Sequence, residues 1–339
     1  MIKRGLKVCV GLFTILCLFN CKSICYGVQQ GMGQLRIVWK SEPLENYLNN
    51  AVYPDSLKVK IRLIEEIKKF AFDSLGIYPS KNYTKMYNQN GSPGMYVVTA
   101  CKPFALEPYQ WSFPIVGEFS YKGFFKRKRA IKEAELLKKK GYDTDIGEVN
   151  AWSTLGWFRD PIMSSMLQKK EGQLASLLIH ELTHGTIFVK NDVHFNENLA
   201  SFIGDKGALL FLKYKYSEES IEIKNYLEDL SDLKKIRAHM HKAAQNLKDF
   251  YKVNNDFKSK KRKQDKIHEV IMSMDTLSLN SYEKVRRIQT LKGTLNNTFF
   301  TDFLMYREDQ KRLEKTFNEE FRGDFNLYFD SLKKKYTTL

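Results

Sequence analysis

The amino-acid sequence predicts an α+β fold that is rich in helix, with a small sheet ahead of a central helical motif and a long helical C-terminal half. Apolar residues recur at helical spacing through 56–76 and from about residue 172 onward. The segments 94–101 and 111–121 are instead rich in β-branched and aromatic residues and are bounded by proline or glycine, which predicts strands. The 339 residues are 43% hydrophobic and 28% charged, so the chain has enough apolar material for a packed core.

The first 20 residues have the pattern of a secretory signal. Three basic residues precede a short apolar run over 8–19, which is shorter than a membrane-spanning helix requires. The run ends at Cys21 and resembles a bacterial lipoprotein signal, in which this cysteine becomes lipidated, although Asn20 replaces the usual small residue. An uncleaved anchor or an ordinary signal peptide is the alternative. We therefore expect an exported lipoprotein, attached to a membrane on its periplasmic or cell-surface side.

Residues 21–339 are predicted to form a single domain, with its helical C-terminal part beginning near residue 215. Residues 27–50 show few strand signals and lead into the helix of 56–76, which Gly76 closes. The basic segment 124–143 is predicted to be a helix ending near Gly141. With one cysteine, Cys101, remaining beyond the N-terminal segment, a disulfide framework is not expected to stabilise the domain.

The chain is basic, with 55 lysines and arginines against 39 acidic residues and a net charge of +16. Such a balance suits polyanionic surfaces, but solvated lysine faces on helices are the commoner explanation. An exported protein rarely meets nucleic acid, so we expect no nucleic-acid partner.

The central motif is the sequence HELTH at residues 180–184. His180 and His184 are four residues apart in a segment of helical pattern, so both imidazoles lie on one helical face and could bind one zinc ion. Glu181 lies about 100° further around the helix, where it could reach a zinc-activated water without being a ligand. This is the arrangement of a metalloprotease, with Glu181 as general base.

A catalytic zinc site needs a third protein ligand. The segment "KND" interrupts the helix and a second helix is predicted over 195–212, so the two helices should pack antiparallel, with Glu197 facing His184. His194 is the alternative ligand, but its spacing from His184 exceeds that of the HExxHxxGxxH motif. Two histidines and a glutamate predict a zincin core of the gluzincin-like, thermolysin-like kind, holding one zinc ion per chain.

Other site residues are predicted with less support from spacing. Tyr306 is the first choice as oxyanion donor, with Asn296 and Asn297 as alternatives. Trp152, in the aromatic segment 150–161, could line a substrate cleft, as could His194 if it is not a ligand. Glu118 is a candidate for holding the free amine of a peptide substrate.

Several stretches together resemble the bacterial predicted aminopeptidases, a family of zinc-dependent HExxH proteins that often carry lipoprotein signals. They are "CKSICYGVQQGMGQL", "WSFPIVGEFSYKGFF", "GYDTDIGEVNAWSTLGWFRDP", "IHELTHGTIFVKNDVHFNENLASFIGDKGA" and "LNNTFFTDFLMY". The resemblance spans nearly the whole mature chain. It implies metallopeptidase activity on a peptide substrate, with His180, His184 and Glu197 as zinc ligands and Glu181 as base.

The sequence departs from these patterns at three places, one of which is His194, at a position usually held by a non-ligand. Trp152 stands where the family more commonly has tyrosine. Four residues after Glu197, where thermolysin-like enzymes often have an aspartate that orients a histidine, this chain has Ser201. The orienting group is therefore open, with Asp205 two helical turns along.

Three functions are consistent with these observations. The first is a zinc aminopeptidase and the second is a zinc endopeptidase. The third is a non-enzymatic basic surface lipoprotein that binds an acidic partner.

Overall fold

The structure is a computed structural model, and it describes residues 25–113, 117–149, 159–190, 192–253, 259–291, 293–305 and 307–336. The predicted signal sequence 1–20 and the residues Cys21, Trp152 and Tyr306 lie outside the described residues. No helix in the described ranges combines the length and apolar content needed to cross a bilayer.

Three helices and a short strand form the N-terminal part. Helix α1 covers residues 25–40, β1 is Glu42–Pro43, α2 is Leu44–Leu48 and α3 is Asp55–Asp73. The helix predicted over 56–76 is confirmed as α3, and Gly76 follows it with a φ of 68°. Helix α1 was not predicted, because three glycines within seven residues lower its intrinsic helix propensity.

The strands form small sheets. In the first, β2 (Lys85–Tyr87) pairs antiparallel with β1 and parallel with β8 (Ile162–Met163). In the second, β3 (Met95–Cys101) lies between β6 (Tyr121–Phe124) and β7 (Asp143–Val149), antiparallel to both. A third pairs β4 (Trp111–Phe113) with β5 (Gly117–Phe119).

The strand predictions hold in part. The predicted strand 94–101 is confirmed as β3, whereas 111–121 contains β4, β5 and the start of β6. Strand β7 was not predicted, because its sequence DTDIGEV has three acidic residues and a glycine, which are depleted in strands. Its full-length pairing with β3 therefore comes from tertiary context.

Helix α4 (Arg127–Lys139) packs on the second sheet. It is shorter than the predicted 124–143, because Phe124 still pairs in β6 and Asp143 already pairs in β7. Ala130, Ala134 and Leu137 form its buried face. Its lysines and arginines point away from that face, as the solvated-helix interpretation predicts.

Helices make up most of the chain after residue 170. They are α5 (Glu171–His184), α6 (Val193–Lys215), α7 (Ile221–Val253), α8 (Lys260–Met272), α9 (Glu283–Thr290), α10 (Asn297–Met305), α11 (Arg307–Glu319) and α12 (Phe325–Lys335). The prediction of a helix-rich α+β fold is confirmed.

Buried apolar residues form three clusters. The largest joins α3, α5, α6 and α12, the second joins α7 to α8, α9 and α10, and the third lies between α4 and the β3 sheet. Leu174, Leu178 and Leu182 of α5 all contribute to the largest cluster. The HELTH motif therefore lies on a helix that is held in place by its opposite, leucine-rich face.

Candidate metal centre

Helices α5 and α6 run antiparallel and carry the motif residues. Ser176 contacts Asp205, His180 contacts Ser201, and His184 lies beside Glu197, so positions advancing along α5 meet positions receding along α6. Asn196 holds the connection between them, because its side chain both accepts from the Val189 amide and donates to the Val189 carbonyl, each at 2.8 Å.

The second helix begins two residues earlier than predicted. Asp192 caps it by accepting a hydrogen bond from the Phe195 amide at 2.9 Å, which makes Val193 the first helical residue. His194 therefore lies in the first helical turn and not in the loop before it. Glu197 is one turn further along, opposite the two histidines.

Two glycines of α6 allow the helices to approach closely. A Cβ atom at Gly204 would lie 2.6 Å from the Ser176 carbonyl oxygen and 3.1 Å from Cβ of His180. At Gly207 it would lie 2.9–3.1 Å from side-chain atoms of Leu75 and Ile179. Because backbone atoms cannot yield as side chains do, any side chain at residue 204 would push α6 away from His180.

Gly204→Ala is therefore expected to lower the free energy of unfolding by about 1–3 kcal/mol, the usual cost of overpacking. It should also weaken zinc binding, because the ligands on the two helices separate. Gly185→Ala is the matched control: its Cβ would be 3.5 Å from the Leu182 carbonyl, an ordinary contact. Denaturant unfolding and zinc titration of both variants test the expectation, and equal behaviour of the two would contradict it.

The side chains of His180, His184 and Glu197 converge. The Nε2 atoms of the two histidines are 3.3 Å apart. Oε2 of Glu197 is 3.4 Å from Nε2 of His180, and Oε1 is 3.4 Å from Nε2 of His184. Each residue thus offers one ligand atom to a common point, all within 4.8 Å of one another.

These separations are in the range of a tetrahedral zinc site, with Glu197 reaching each imidazole through a different oxygen. With zinc–ligand bonds of about 2.0–2.2 Å and tetrahedral angles, neighbouring ligand atoms should lie about 3.3–3.6 Å apart. Two imidazole nitrogens and one carboxylate oxygen are the donor set of catalytic zinc sites with a fourth position open. The carboxylate of Glu197 is 55% exposed, so solvent can reach that side of the centre.

Electrostatics leaves one histidine neutral. Burial, together with the charge of His180, lowers the pKa of His184 to about 4, although the charge of Glu197 opposes this. For His180, burial disfavours protonation, but the hydrogen bond to Glu197 and the charges of Glu181, Glu197 and Asp205 outweigh it and raise its pKa. The negative charges that favour a proton on His180 would also attract a divalent cation. Such a cation would replace the proton between His180 and Glu197.

Ser201 contacts His180 at the ring nitrogen that is not one of the converging ligand atoms. Its hydroxyl lies 3.3 Å from Nδ1 of His180. Asp205, one turn further along, instead accepts hydrogen bonds from Ser176 at 2.8 Å and Tyr226 at 3.2 Å. The orienting contact that the sequence left open is thus made by the serine itself. Nδ1 of His184 is buried and has no hydrogen-bond partner among the described residues.

Glu181 is half-buried and lies within the electrostatic reach of Tyr83. The Tyr83 side chain is buried, and burial followed by the charges of Glu181 and Asp160 raises its pKa well above the usual value. Its backbone has a φ of 59°, which is uncommon for a residue other than glycine, and its amide donates to the Asp160 carbonyl at 2.7 Å. No sequence motif distinguishes Tyr83, so sequence reasoning missed it.

Tyr121 on β6 is a second neighbour that sequence reasoning missed. Burial and then the charge of Glu197 raise the pKa of its phenol, so the phenol is protonated at neutral pH and can donate a hydrogen bond. Its side chain is also 45% exposed. Only the packing of the β3 sheet near α6 brings this tyrosine close to Glu197; the two residues are 76 positions apart in the chain.

Of the remaining predicted site residues, His194 and Glu118 lie in the part of the chain that the structure describes. His194 is exposed, and Asn198 donates to its carbonyl at 2.8 Å. It does not belong to the group of three converging ligand atoms. Glu118 is exposed on β5, where its backbone pairs with Ser112. Trp152 and Tyr306 lie outside the described residues.

Asn296 and Asn297, the alternatives predicted for the oxyanion donor, both make hydrogen bonds within the fold. Asn296 donates to the Thr144 carbonyl and accepts from Thr298. Asn297 is fully buried, accepts from the Tyr251 hydroxyl at 2.6 Å and donates to the Lys102 carbonyl at 2.8 Å. Their amides join α10 to the β3 sheet and α7 and are not free to face a substrate.

Asn297→Ala is expected to destabilise the fold by about 1–3 kcal/mol for each buried group left unpaired. Asn46→Ala is the control, since its exposed amide makes one weak contact with Glu42 and should cost less than about 0.5 kcal/mol. Urea denaturation of the two variants gives the comparison. A stability of Asn297→Ala equal to that of the control would contradict the structural role.

Comparison with known proteins assigns the chain to a family. A family model described as "Putative aminopeptidase" matches residues 25–337. No curated protein and no solved structure matches the chain. Because the match extends over nearly the whole described chain and includes the HELTH helix, the centre and its supporting elements, the chain belongs to this aminopeptidase family.

Proposed function

We propose that the protein is a zinc-dependent peptidase, acting as an aminopeptidase, in which His180, His184 and Glu197 hold one zinc ion per chain. The observation that carries the proposal is the convergence of two imidazole nitrogens, 3.3 Å apart, with a carboxylate whose two oxygens each lie 3.4 Å from one of them. Membership of the aminopeptidase family supports peptides as the substrate class.

A zinc ion at this centre supplies Lewis acidity, which polarises a peptide carbonyl and lowers the pKa of a water molecule towards ~7. The residues of the chain handle the protons. Glu181 takes a proton from the attacking water as the oxygen bonds to the carbonyl carbon. It then gives the proton to the departing amine nitrogen as the C–N bond breaks. Ser201 keeps the ring of His180 in the orientation that presents Nε2.

Two exposed side chains are proposed to contact the substrate. The Tyr121 phenol, held protonated beside Glu197, can donate a hydrogen bond to a substrate oxygen. Glu118 remains the proposed acidic group for a free amine, and Trp152, Tyr306 and His194 remain proposals as cleft wall, oxyanion donor and substrate contact.

The protein is also proposed to be exported and attached to a membrane through lipidated Cys21. The sequence of residues 1–21 supports this proposal. Metabolic fatty-acid labelling of wild type and Cys21→Ala tests it, and equal labelling of the two proteins would contradict it.

Metal removal tests the proposed centre. The purified protein is expected to contain about one zinc per chain. Dialysis against a chelator should abolish release of an aminoacyl fluorophore, and added zinc should restore it. His268→Ala, which removes an exposed histidine of α8, should leave the zinc content unchanged. Full hydrolysis by metal-free protein would overturn the proposal, and the absence of both metal and hydrolysis would favour a non-enzymatic binding protein.

Blocking the substrate amine separates the two peptidase types. An aminopeptidase should cleave free aminoacyl fluorophores and short peptides and fail on their N-acetylated forms, because the amine charge is part of recognition. Equal cleavage of both forms would make the protein an endopeptidase. A peptide-library digest analysed by mass spectrometry shows which bond is cut.

A further inference from the structure

Helix α1 has an exposed apolar stripe along its length. Cys25, Val28, Met32, Leu35 and Trp39 are spaced by three or four residues and lie on one helical face. The side chains of Val28, Met32 and Trp39 are 56%, 67% and 80% exposed. Single exposed apolar residues are common, but a continuous stripe of five on one helix indicates an interaction surface.

The opposite face of α1 fixes this orientation. Ile37 is buried in the main apolar cluster, and Gly33 lies so close to Phe125 that a Cβ atom would be 2.0 Å from that ring. The Tyr26 hydroxyl and the Gln30 amide both donate to the Gly123 carbonyl, at 2.9 and 3.0 Å. Ile37, Gly33, Tyr26 and Gln30 therefore hold one face of α1 against the protein. The apolar stripe lies on the opposite face and points outward.

Charge and composition along the stripe identify the surface it fits. Arg36 and Lys40 are exposed beside Leu35 and Trp39, and the chain as a whole has a net charge of +16. An apolar helical face that includes tryptophan and is bordered by basic residues is typical of helices that lie in the headgroup region of a bilayer. Arginine and lysine there can bury their aliphatic stems while their charges meet anionic lipid.

The chain ahead of α1 brings the helix to the same surface. Cys21, the predicted lipidation site, is four residues before Cys25, a distance of at most about 14 Å for extended chain. A lipid on Cys21 would therefore keep the stripe on α1 within reach of the bilayer surface.

We propose that α1 is a membrane-surface helix, which lies along a lipid bilayer containing anionic headgroups and inserts Val28, Met32, Leu35 and Trp39 into it. If Cys21 is lipidated as proposed above, the stripe would give the whole protein a defined orientation on the membrane. This inference does not depend on the proposed hydrolysis, because none of these residues belongs to the metal centre.

Fluorescence quenching of Trp39 tests the proposal. The full protein is purified from membranes and reconstituted into phosphatidylcholine–phosphatidylglycerol vesicles, with or without bromine on the acyl chains. The emission of Trp39 is the difference between wild type and Trp39→Phe, which removes the contribution of the other three tryptophans. Bromine near the glycerol backbone is expected to quench this emission more strongly than bromine at the chain ends.

Two double variants define the surface. Met32→Gln with Leu35→Gln should reduce the quenching of Trp39, because the stripe then loses its apolar contact. Val52→Gln with Leu327→Gln removes two exposed apolar residues elsewhere, which are 90% and 61% exposed, and should leave the quenching unchanged. Far-UV circular dichroism of the stripe variant in detergent checks that it is folded.

Unquenched emission of Trp39 in brominated vesicles would overturn the proposal. If light scattering also showed a dimer that the stripe variant loses, the stripe would be an interface between two copies of the chain. Equal quenching in wild type and the stripe variant would likewise contradict the proposal, because the lipid on Cys21 alone would then hold Trp39 near the bilayer.

Discussion

Replacing Glu181 by glutamine is expected to lower kcat about 10²–10⁴-fold, the usual contribution of a general base, while zinc content stays the same. Glutamine has nearly the shape of glutamate but cannot accept a proton from water at neutral pH. His180, His184 and Glu197 are unchanged, so the proposed zinc ligands remain. KM should change little, because the lost interaction acts mainly on proton transfer.

The measurement is steady-state hydrolysis of an aminoacyl fluorophore together with zinc content for each protein. Glu135→Gln, on the exposed face of α4, is the matched control and should keep the wild-type rate. A Glu181→Gln protein with full zinc and a wild-type kcat would exclude Glu181 as the base. Loss of zinc from this variant would show instead that Glu181 acts through the metal site.

Replacing Glu197 by glutamine should have the largest effect on the metal. The variant loses the one anionic group among the proposed ligands. A neutral amide replaces the carboxylate, whose two oxygens lie 3.4 Å from Nε2 of His180 and of His184. Loss of a second-shell partner typically weakens metal binding 10–100-fold, so loss of this ligand should weaken it by more than about 100-fold. Hydrolysis should fall in parallel at limiting zinc.

His194→Ala distinguishes the two third ligands considered from the sequence. If Glu197 is the ligand, His194→Ala should bind zinc as wild type does, measured by competition with a zinc-binding dye. Weak binding by His194→Ala and wild-type binding by Glu197→Gln would reverse the assignment. Circular dichroism of both variants verifies that α5 and α6 remain folded.

The local parts of the fold follow from sequence patterns. Most apolar residues of α3 lie on one face at helical spacing and are buried as the pattern predicts, whereas Val59 is exposed. Strand β3 is rich in β-branched residues and is central in its sheet. The positions of β7 and α1 could not be predicted in this way, because acidic residues and glycines weaken their own propensity and the neighbouring elements compensate.

The candidate metal centre likewise has residues that local sequence patterns predict and a contact that only the packing of the helices decides. The pairing of His180 and His184 is a local property of one helix, so a spacing of four residues is enough to predict it. The position of Glu197 could also be predicted, because the connection between the two helices is short. A short connection leaves few ways for the helices to pack. Ser201 differs, because its contact with Nδ1 of His180 depends on the close approach that Gly204 permits.

The sequence by itself determined the helix-rich α+β character, the HELTH helix and the residue types able to hold a divalent ion. Tertiary structure alone decided that Tyr83 and Tyr121 lie near Glu181 and Glu197, that Asn297 is a structural link, and that the apolar stripe of α1 faces outward. The physical reason is the range of the interactions. Helical periodicity and i, i+4 contacts are encoded within a few residues, whereas contacts between distant segments depend on how all the elements pack together.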